Sequence, residues 1–236
     1  MNQPTSEIAL NYLDVKRRVE EAAIKSGRAK DAVTLIAVSK TKPVSDIKQA
    51  VEAGAFRLGE NKVQEIMEKY DSFPDVEWHL IGHLQTNKVK YIIDKVKLIH
   101  SVDSLRLAQE ISKRAKQHGT TMDVLVEVNI GGEESKSGVA PEAAEELCLD
   151  IAKLENISVK GLMTVAPIVE NSEDARVYFR KMNKLFVDIR DKSYDNIDME
   201  YLSMGMTNDF EVAIEEGANL VRVGTAIFGK RNYNKQ

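Results

Sequence analysis

A lysine ends the first strongly apolar run of the chain, "VTLIAVSK", so that Lys40 follows directly on a predicted buried strand. Lysine is strongly hydrated and is rarely buried without a function. When burial or nearby cations lower its pKa, the neutral amine becomes a nucleophile that can form a Schiff base with a carbonyl carbon. Lys42 precedes Pro43, which favours an extended backbone, and we expect it to be solvated or at most to border a site.

Two later segments carry the residue types that bind phosphate. "SMGMTNDF" places Gly205 and Thr207 before a predicted helix, and "RVGTAIFG" places Gly224 and Thr225 before the short C-terminal segment. Backbone N–H groups at a helix start, with no bulky side chain in the way, suit an anion. Either segment alone reads as an ordinary glycine turn, but the two together favour a phosphate site.

Arg222 lies between apolar residues in "LVRVG", at the end of another predicted strand. Most arginines form surface ion pairs, but apolar neighbours favour a semi-buried position with a fixed partner. Because arginine does not lose its proton, Arg222 would place a permanent positive charge on whatever it contacts.

The remaining polar residues at predicted strand ends are candidates for lining a site: Glu60, Asn61, His83 and Asn129. No serine or cysteine stands in a nucleophile elbow, so a catalytic triad is not predicted. His79 and His83 are four residues apart, which would suit a metal on a helix, but "EWHLIGH" reads as a strand and a metal site is not expected.

Eight short β-branched runs alternate with longer amphipathic segments, the pattern of parallel strands with crossover helices. The runs are "VTLIAVSK", "AFRLGEN", "EWHLIGH", "KLIHSV", "MDVLVEVNI", "ISVKGLMTV", "MEYLSMG" and "NLVRVGT". The first seven are each followed by a segment that can be helical, and a further helix from Ser6 to about Ser26 precedes them. This order predicts an α/β fold, a single (β/α)8 barrel, with an open doubly wound sheet as the alternative. The open sheet lacks its usual G-x-G-x-x-G or Walker loop here.

The first crossover illustrates the local signals. Ser45 can cap a helix, Asp46 suits its positive end, Ile47, Ala50 and Val51 share one face, and Gly54 ends it. In a closed barrel the carboxyl ends of all strands meet on one face, which holds the active site. Lys40, Asn61, Arg222 and the two glycine segments should therefore lie together.

The composition fits an ordinary globular protein of one domain, residues 1–236, since no linker or low-complexity block divides it. Lys and Arg total 33 against 37 acidic residues, so the net charge of -4 provides no general attraction to nucleic acid or an anionic membrane. The single cysteine, Cys148, excludes an internal disulfide and fits a packing role in a helix. Without a signal-like segment or an apolar stretch of about 18 residues, we expect a cytoplasmic protein.

These motifs together resemble a known family. "AVSKTKP", "RLGENKVQE", "WHLIGHLQTNKVK", "SVDS", "VNIGGEESKSG", "GLMT" and "LSMGMTNDFEVAIEEGANLVRVGTAIFG" are similar, across residues 6–230, to the YggS-type pyridoxal phosphate homeostasis proteins, also called the proline synthase co-transcribed family. The family resembles the N-terminal barrel of alanine racemase and of the eukaryotic ornithine decarboxylases. The resemblance implies a fold-type III barrel without the C-terminal β-domain.

The resemblance also implies a cofactor and its contacts. Lys40 would hold pyridoxal 5'-phosphate (PLP) as an internal aldimine, with Asn61 beside the ring and Arg222 facing the pyridine nitrogen. Its phosphate would lie in the loops formed by Ser203, Gly205 and Thr207 and by Gly224 and Thr225. Lys136, in "ESKSG", would be a mobile-loop lysine near the cofactor.

Three functions remain open from the sequence. The first is a PLP-binding protein without turnover, acting in vitamin B6 homeostasis as a monomer, with apo PLP-dependent enzymes as recipients. A fixed charge at the ring nitrogen weakens the ring as an electron sink, and racemases on this barrel take a second acid/base, a tyrosine, from an additional β-domain. The alternatives are a small amino-acid racemase or lyase, and an aldolase-type barrel whose Lys40 attacks a sugar phosphate.

Overall fold

Eight parallel strands follow one another around a closed barrel in the computed structural model, which describes residues 6–133 and 135–230. The strands are β1 Thr34–Val38, β2 Arg57–Glu60, β3 Glu77–Leu80, β4 Leu98–Val102, β5 Met122–Glu127, β6 Ile157–Met163, β7 Ile197–Ser203 and β8 Leu220–Val223. All eight predicted strands are present. Because β1 pairs with both β2 and β8, the barrel closes, and the open-sheet alternative is wrong.

Helices surround the barrel and connect its strands. They are α1 Glu7–Lys25, α2 Val44–Glu52, α3 Val63–Lys69, α4 Leu105–Gln117, α5 Pro141–Ala152, α6 Arg176–Arg190, α7 Phe210–Glu215 and α8 Thr225–Phe228. Ser6 caps α1 by accepting a hydrogen bond from Ala9 N, as a serine at this position does. In the part of the chain that the model describes, no helix has the length and apolarity needed to cross a membrane.

Two local details add to the prediction. The segment between β3 and β4 is helical, as predicted, and forms a 3-10 helix, Thr86–Tyr91. Val89 in this helix and Ile92 directly after it are buried and three residues apart, the repeat of a 3-10 helix. Helix α2 begins at Val44, so Ser45 lies inside its first turn and Pro43, with its extended backbone, is the N-cap residue. The end of α2 before Gly54, which has a φ of 101°, is as predicted.

The hydrophobic core has an inner and an outer part. The inner part fills the barrel with side chains from alternate strand positions: Ile36, Leu98, Leu125, Met163 and Leu220. The outer part lies between the barrel and the helices and contains Cys148, which is fully buried. Burial raises the pKa of Cys148 to about 12, so this thiol packs rather than reacts. The filled interior confines a binding site to the carboxyl ends of the strands.

Gly161 on β6 has a structural role that only glycine can fill. Its φ is +142°, and a Cβ atom there would lie 1.9 Å from the carbonyl oxygen of Tyr201 on β7. The β6–β7 register shifts at this residue, so the close approach belongs to the irregular part of the barrel wall.

We expect Gly161→Ala to lower the free energy of unfolding by ~3 kcal/mol or more, because the clash is with backbone and cannot relax by a rotamer change. Gly119→Ala is the matched control, since its φ is +65° but no atom lies within 4 Å of the added Cβ. The control should lose about 1 kcal/mol. Denaturant unfolding measures both, and equal losses would show that φ alone, rather than the close approach, accounts for the effect.

Candidate functional site

A cavity of about 730 Å³ opens at the carboxyl ends of the strands. Its lining includes six of the predicted site residues: Lys40, Asn61, Thr207, Arg222, Gly224 and Thr225. The segment 165–172 that follows β6 forms another part of the wall. Residues far apart in the sequence therefore meet at one cavity, as the barrel topology requires.

Arg222 is buried in the floor of this cavity, with 4% of its surface exposed. Its guanidinium donates to Ser203 Oγ at 2.5 Å and to the carbonyl oxygen of Thr164 at 2.8 Å. Burial lowers the pKa of Arg222 to about 10, against the opposing charges of Asp209 and Glu127, so the group stays charged at neutral pH. Arg222 thus has fixed partners, as predicted, and is buried more completely than the predicted semi-buried position.

Ser203 lies beneath Arg222 and outside the cavity lining, although the sequence grouped it with the phosphate loops. It begins a buried chain of polar contacts that runs down the barrel: Ser203 Oγ is 3.0 Å from His100 Nδ1, and His100 Nε2 is 3.0 Å from His79 Nδ1. Ser203 faces inward like Tyr201, two residues before it on β7, because strand side chains alternate between faces. Ser203 therefore contacts Arg222 from below and does not line the cavity.

The two histidines in this series of polar contacts, His79 and His100, are uncharged. Burial lowers the pKa of His79 to about 3, and the charges of Arg57 and Lys97 lower it further. Burial, then His79 and Arg222, hold the pKa of His100 well below its ordinary value. Arg222 is thus surrounded from below by neutral dipoles, and its charge is not cancelled there.

The loop after β7 is shaped by its own backbone. Gly205 has a φ of +92°, and a Cβ there would lie 2.6 Å from Ala213 Cβ and 2.9 Å from Phe210 Cα. Glycine at 205 therefore lets α7 pack closely against the strand end, and it does not itself line the cavity. Met206 N donates to the Asp209 carboxylate at 2.6 Å, which folds the turn that presents Thr207 to the cavity.

The loop after β8 meets the loop after β7. Gly224 is the N-cap residue of α8, and a Cβ there would lie 3.2 Å from the carbonyl oxygen of Val38. Thr207 Oγ1 accepts a hydrogen bond from Ala226 N at 3.4 Å, which connects the two predicted phosphate loops. Together Thr207, Gly224 and Thr225 form one concave, small-residue wall of the cavity.

Lys42 is less solvated than the sequence suggested. It borders the cavity, as predicted, but its Nζ donates to the carbonyl oxygens of Phe228 at 2.6 Å and Gly229 at 3.2 Å. These carbonyls end the short helix α8, where a lysine is a common partner. Asn11 of α1 binds the carbonyl oxygen of Ile227 at 3.3 Å, so α8 is fixed from two sides.

Three other candidate residues take structural positions outside the cavity lining. Glu60 is fully buried and accepts hydrogen bonds from Ser39 Oγ and Lys69 Nζ. The Asn129 side chain donates to the carbonyl oxygen of Glu133 and accepts from its backbone N–H, which shapes the loop after β5. His83 lies 3.6 Å from Asp103 with its side chain 57% exposed.

No cluster of potential metal ligands is found among residues 6–133 and 135–230. Lys136 donates to the carbonyl oxygen of Ala166 at 3.1 Å and pairs with Glu133 at 2.6 Å, so it connects the loops after β5 and β6. Its neighbour Glu134, part of the "VNIGGEESKSG" motif, lies outside the described residues.

The sequence missed Glu127, at the end of β5. Burial, followed by the charge of Asp103, raises its pKa to about 7, while Arg222 opposes the shift. In the letters "VLVEVN" a single glutamate resembles an exposed residue of an edge strand, and only the closed barrel turns it inward. The segment 165–172 was missed as well, since it has no distinctive residue pattern.

Comparisons with known proteins identify relatives of this chain. The family model for the alanine racemase N-terminal domain matches residues 15–232. The pyridoxal phosphate homeostasis protein of Aquifex aeolicus (strain VF5) is 49% identical over 221 residues, which is 93% of this chain and 96% of that protein. That of Escherichia coli (strain K12) is 38% identical over 237 residues, covering 98% and 100%.

Solved structures give the same relationship. PipY of Synechococcus elongatus PCC7942, with PLP bound, superposes with a TM-score of 0.78 at 30% identity, over 89% of this chain and 100% of that chain. Alanine racemase of Clostridium difficile 630 has a TM-score of 0.71 at 19% identity, over 94% of this chain and 58% of that chain, and shows the shared fold alone. By fold, sequence and the family model, this chain belongs to the pyridoxal phosphate homeostasis protein family, whose members carry the alanine racemase N-terminal barrel.

Proposed function

We propose that this chain binds PLP in the cavity at the carboxyl ends of the strands, with Lys40 as the amine that bonds to the cofactor's aldehyde carbon and releases water. The observation that carries this proposal is the meeting of Lys40, Arg222 and the Thr207–Gly224–Thr225 wall in one cavity. The PLP in the related PipY structure and the name of the family support it.

The residues present fit the parts of this cofactor. The wall formed by Thr207, Gly224 and Thr225 supplies hydroxyl and backbone donors with little side-chain bulk, as a phosphate group requires. Arg222 supplies a permanent donor for a ring nitrogen. Asn61 would lie beside the ring, and the backbone of Gly82 packs closely against it, since a Cβ added at Gly82 would lie 2.5 Å from the backbone carbonyl oxygen of Asn61. Ser203 and Gly205 would support this site from outside the lining.

Bound PLP supplies an electron sink for carbanions at the α-carbon of amino acids. Arg222 restrains that chemistry, because its positive charge, uncancelled by the neutral histidines below it, disfavours a proton on the ring nitrogen. We therefore propose that the protein holds the cofactor without turnover and serves PLP homeostasis, with apo PLP-dependent enzymes as recipients. A cytoplasmic location, a monomeric state and a single domain over residues 1–236 stay predictions.

A racemase or lyase activity is the second candidate, and Glu127 is the observation in its favour. Its pKa of about 7 suits a general acid/base, and it lies close enough to Arg222 for their charges to interact. Against it, Glu127 lies outside the cavity lining, so its carboxyl group does not face the space that a substrate would occupy.

Addition of PLP should produce a Schiff-base absorbance band, and borohydride should fix the cofactor on the peptide that contains Lys40. Lys40→Ala should abolish both signals. Lys48→Ala, on the exposed face of α2, is the control and should retain them. Peptide mapping by mass spectrometry separates Lys40 from Lys42, and attachment to any other lysine would refute the assignment. The aldolase-type alternative predicts no absorbance band.

Thr207→Ala should weaken PLP binding about tenfold, the cost of losing one hydrogen bond to a charged group. Pyridoxal, which lacks the phosphate, should bind the variant and the parent protein equally. Fluorescence titration with both compounds measures the difference. Equal weakening for the two compounds would place the phosphate elsewhere.

The holoprotein should not catalyse exchange of the α-proton of amino acids with deuterium from solvent above the rate that free PLP gives. Proton NMR with both enantiomers of several amino acids measures this exchange. Exchange that disappears in both Lys40→Ala and Glu127→Gln would establish the second candidate in place of the first.

A further inference from the structure

Lys40 lies in a tight turn with an unusual backbone. Lys42 N donates to the carbonyl oxygen of Ser39 at 3.0 Å, which closes the turn over Lys40 and Thr41. Thr41 has a φ of +64°, in the left-handed region that β-branched residues avoid. Such a conformation costs ~1–2 kcal/mol and persists only where surrounding contacts enforce it.

Contacts that enforce this turn come from α3. Lys69 Nζ donates to the carbonyl oxygen of Ser39 at 3.0 Å, on one side of Lys40. Glu65 Oε2 accepts from Thr41 N at 2.6 Å, on the other side. The backbone groups on either side of Lys40 are thus held by two side chains one helical turn apart on the same helix.

The same two side chains are fixed to each other and to the barrel. Lys69 Nζ donates to Glu65 Oε2 at 2.7 Å and to Glu60 Oε1 at 2.8 Å, and Glu60 Oε1 also accepts from Ser39 Oγ at 2.6 Å. Lys69 is 6% exposed and Glu60 is fully buried, so this network is not a surface ion pair that solvent screens. The buried network can therefore hold the backbone of the turn in one conformation.

The charges in the network strengthen the hydrogen bond between the Thr41 amide and Glu65. Burial opposes ionisation of Glu65, but hydrogen bonds from Lys69 and from the Thr41 amide hold its pKa below the ordinary value. Glu65 is therefore ionised at neutral pH and accepts from the Thr41 amide as a carboxylate, which makes that hydrogen bond a strong one.

We propose that Glu65 and Lys69 are positioning residues that hold the strained turn from Ser39 to Lys42 and so direct the amine of Lys40 into the cavity. This inference rests on the proposed function, because it concerns the same lysine. It adds that correct presentation of the amine depends on α3, whose two residues bind the backbone of the turn. Neither Glu65 nor Lys69 lines the cavity itself.

The test compares Glu65→Ala, Thr41→Gly and the double variant. Glu65→Ala removes the acceptor for Thr41 N, and we expect the rate of Schiff-base formation with PLP, followed by absorbance, to fall about tenfold. Thr41→Gly alone should react at close to the parental rate, because glycine adopts a positive φ without cost. In the double variant the turn no longer needs enforcement, so the rate should return to within about threefold of the parent protein.

A readout without cofactor accompanies the kinetics. In the apoprotein, hydrogen exchange of the amide of residue 41 should be faster in Glu65→Ala than in the parent protein. Glu68→Ala, an exposed residue on the same helix, is the matched control and should change neither exchange nor rate. If Glu65→Ala does not fold, Lys69→Met replaces it. The Lys69→Met variant and its combination with Thr41→Gly are then compared by the same rates and exchange measurements.

The inference is overturned if Glu65→Ala reacts at the parental rate, or if Thr41→Gly fails to restore the slow variant. These outcomes differ from failure of the proposed function, in which the parent protein itself forms no Schiff base. In that case exchange at residue 41 still reports whether Glu65 holds the turn.

Discussion

A positive charge buried at the mouth of the barrel, that of Arg222, is the constraint around which the site is arranged. Its guanidinium donates to two neutral oxygens, and the charges of Asp209 and Glu127 also act on it. A buried charge is costly unless hydrogen bonds satisfy it. Ser203 and Thr164 supply those bonds from below, and the neutral His100 and His79 extend the chain. The hydrogen bonds from below are made to neutral groups, so they leave the guanidinium charged beneath the cavity.

The closed barrel and the loops contribute differently to this arrangement. The strands are held on both sides by parallel neighbours, so they fix Arg222 and the base of the cavity rigidly. The loops that would contact the cofactor are each held by a specific bond, such as that from Ala226 N to Thr207 and that from Lys42 to α8. A rigid base with loops fixed by such bonds holds a ligand in one orientation.

The sequence predicted the barrel well because apolar strand runs and glycine turns are local signals. It also identified Lys40 and Arg222 as unusual from their apolar surroundings, although the role of Lys40 came from the family resemblance. It could not predict the contact between Ser203 and Arg222, because the direction of a strand-end side chain depends on the closed barrel. It could not predict the bonds from Lys69 and Glu65 to the Lys40 turn, since two helix residues of common type meet that turn only through tertiary packing.

The central claim is that a single cavity binds PLP through three parts of the chain at once: the Lys40 amine, the Arg222 guanidinium and the wall formed by Thr207, Gly224 and Thr225. A crystal structure of the protein with PLP tests this most directly. It should show continuous density from Lys40 Nζ to the cofactor, the ring nitrogen towards Arg222 and the phosphate against that wall. Cofactor bound elsewhere, or an unmodified Lys40 beside it, would contradict the claim.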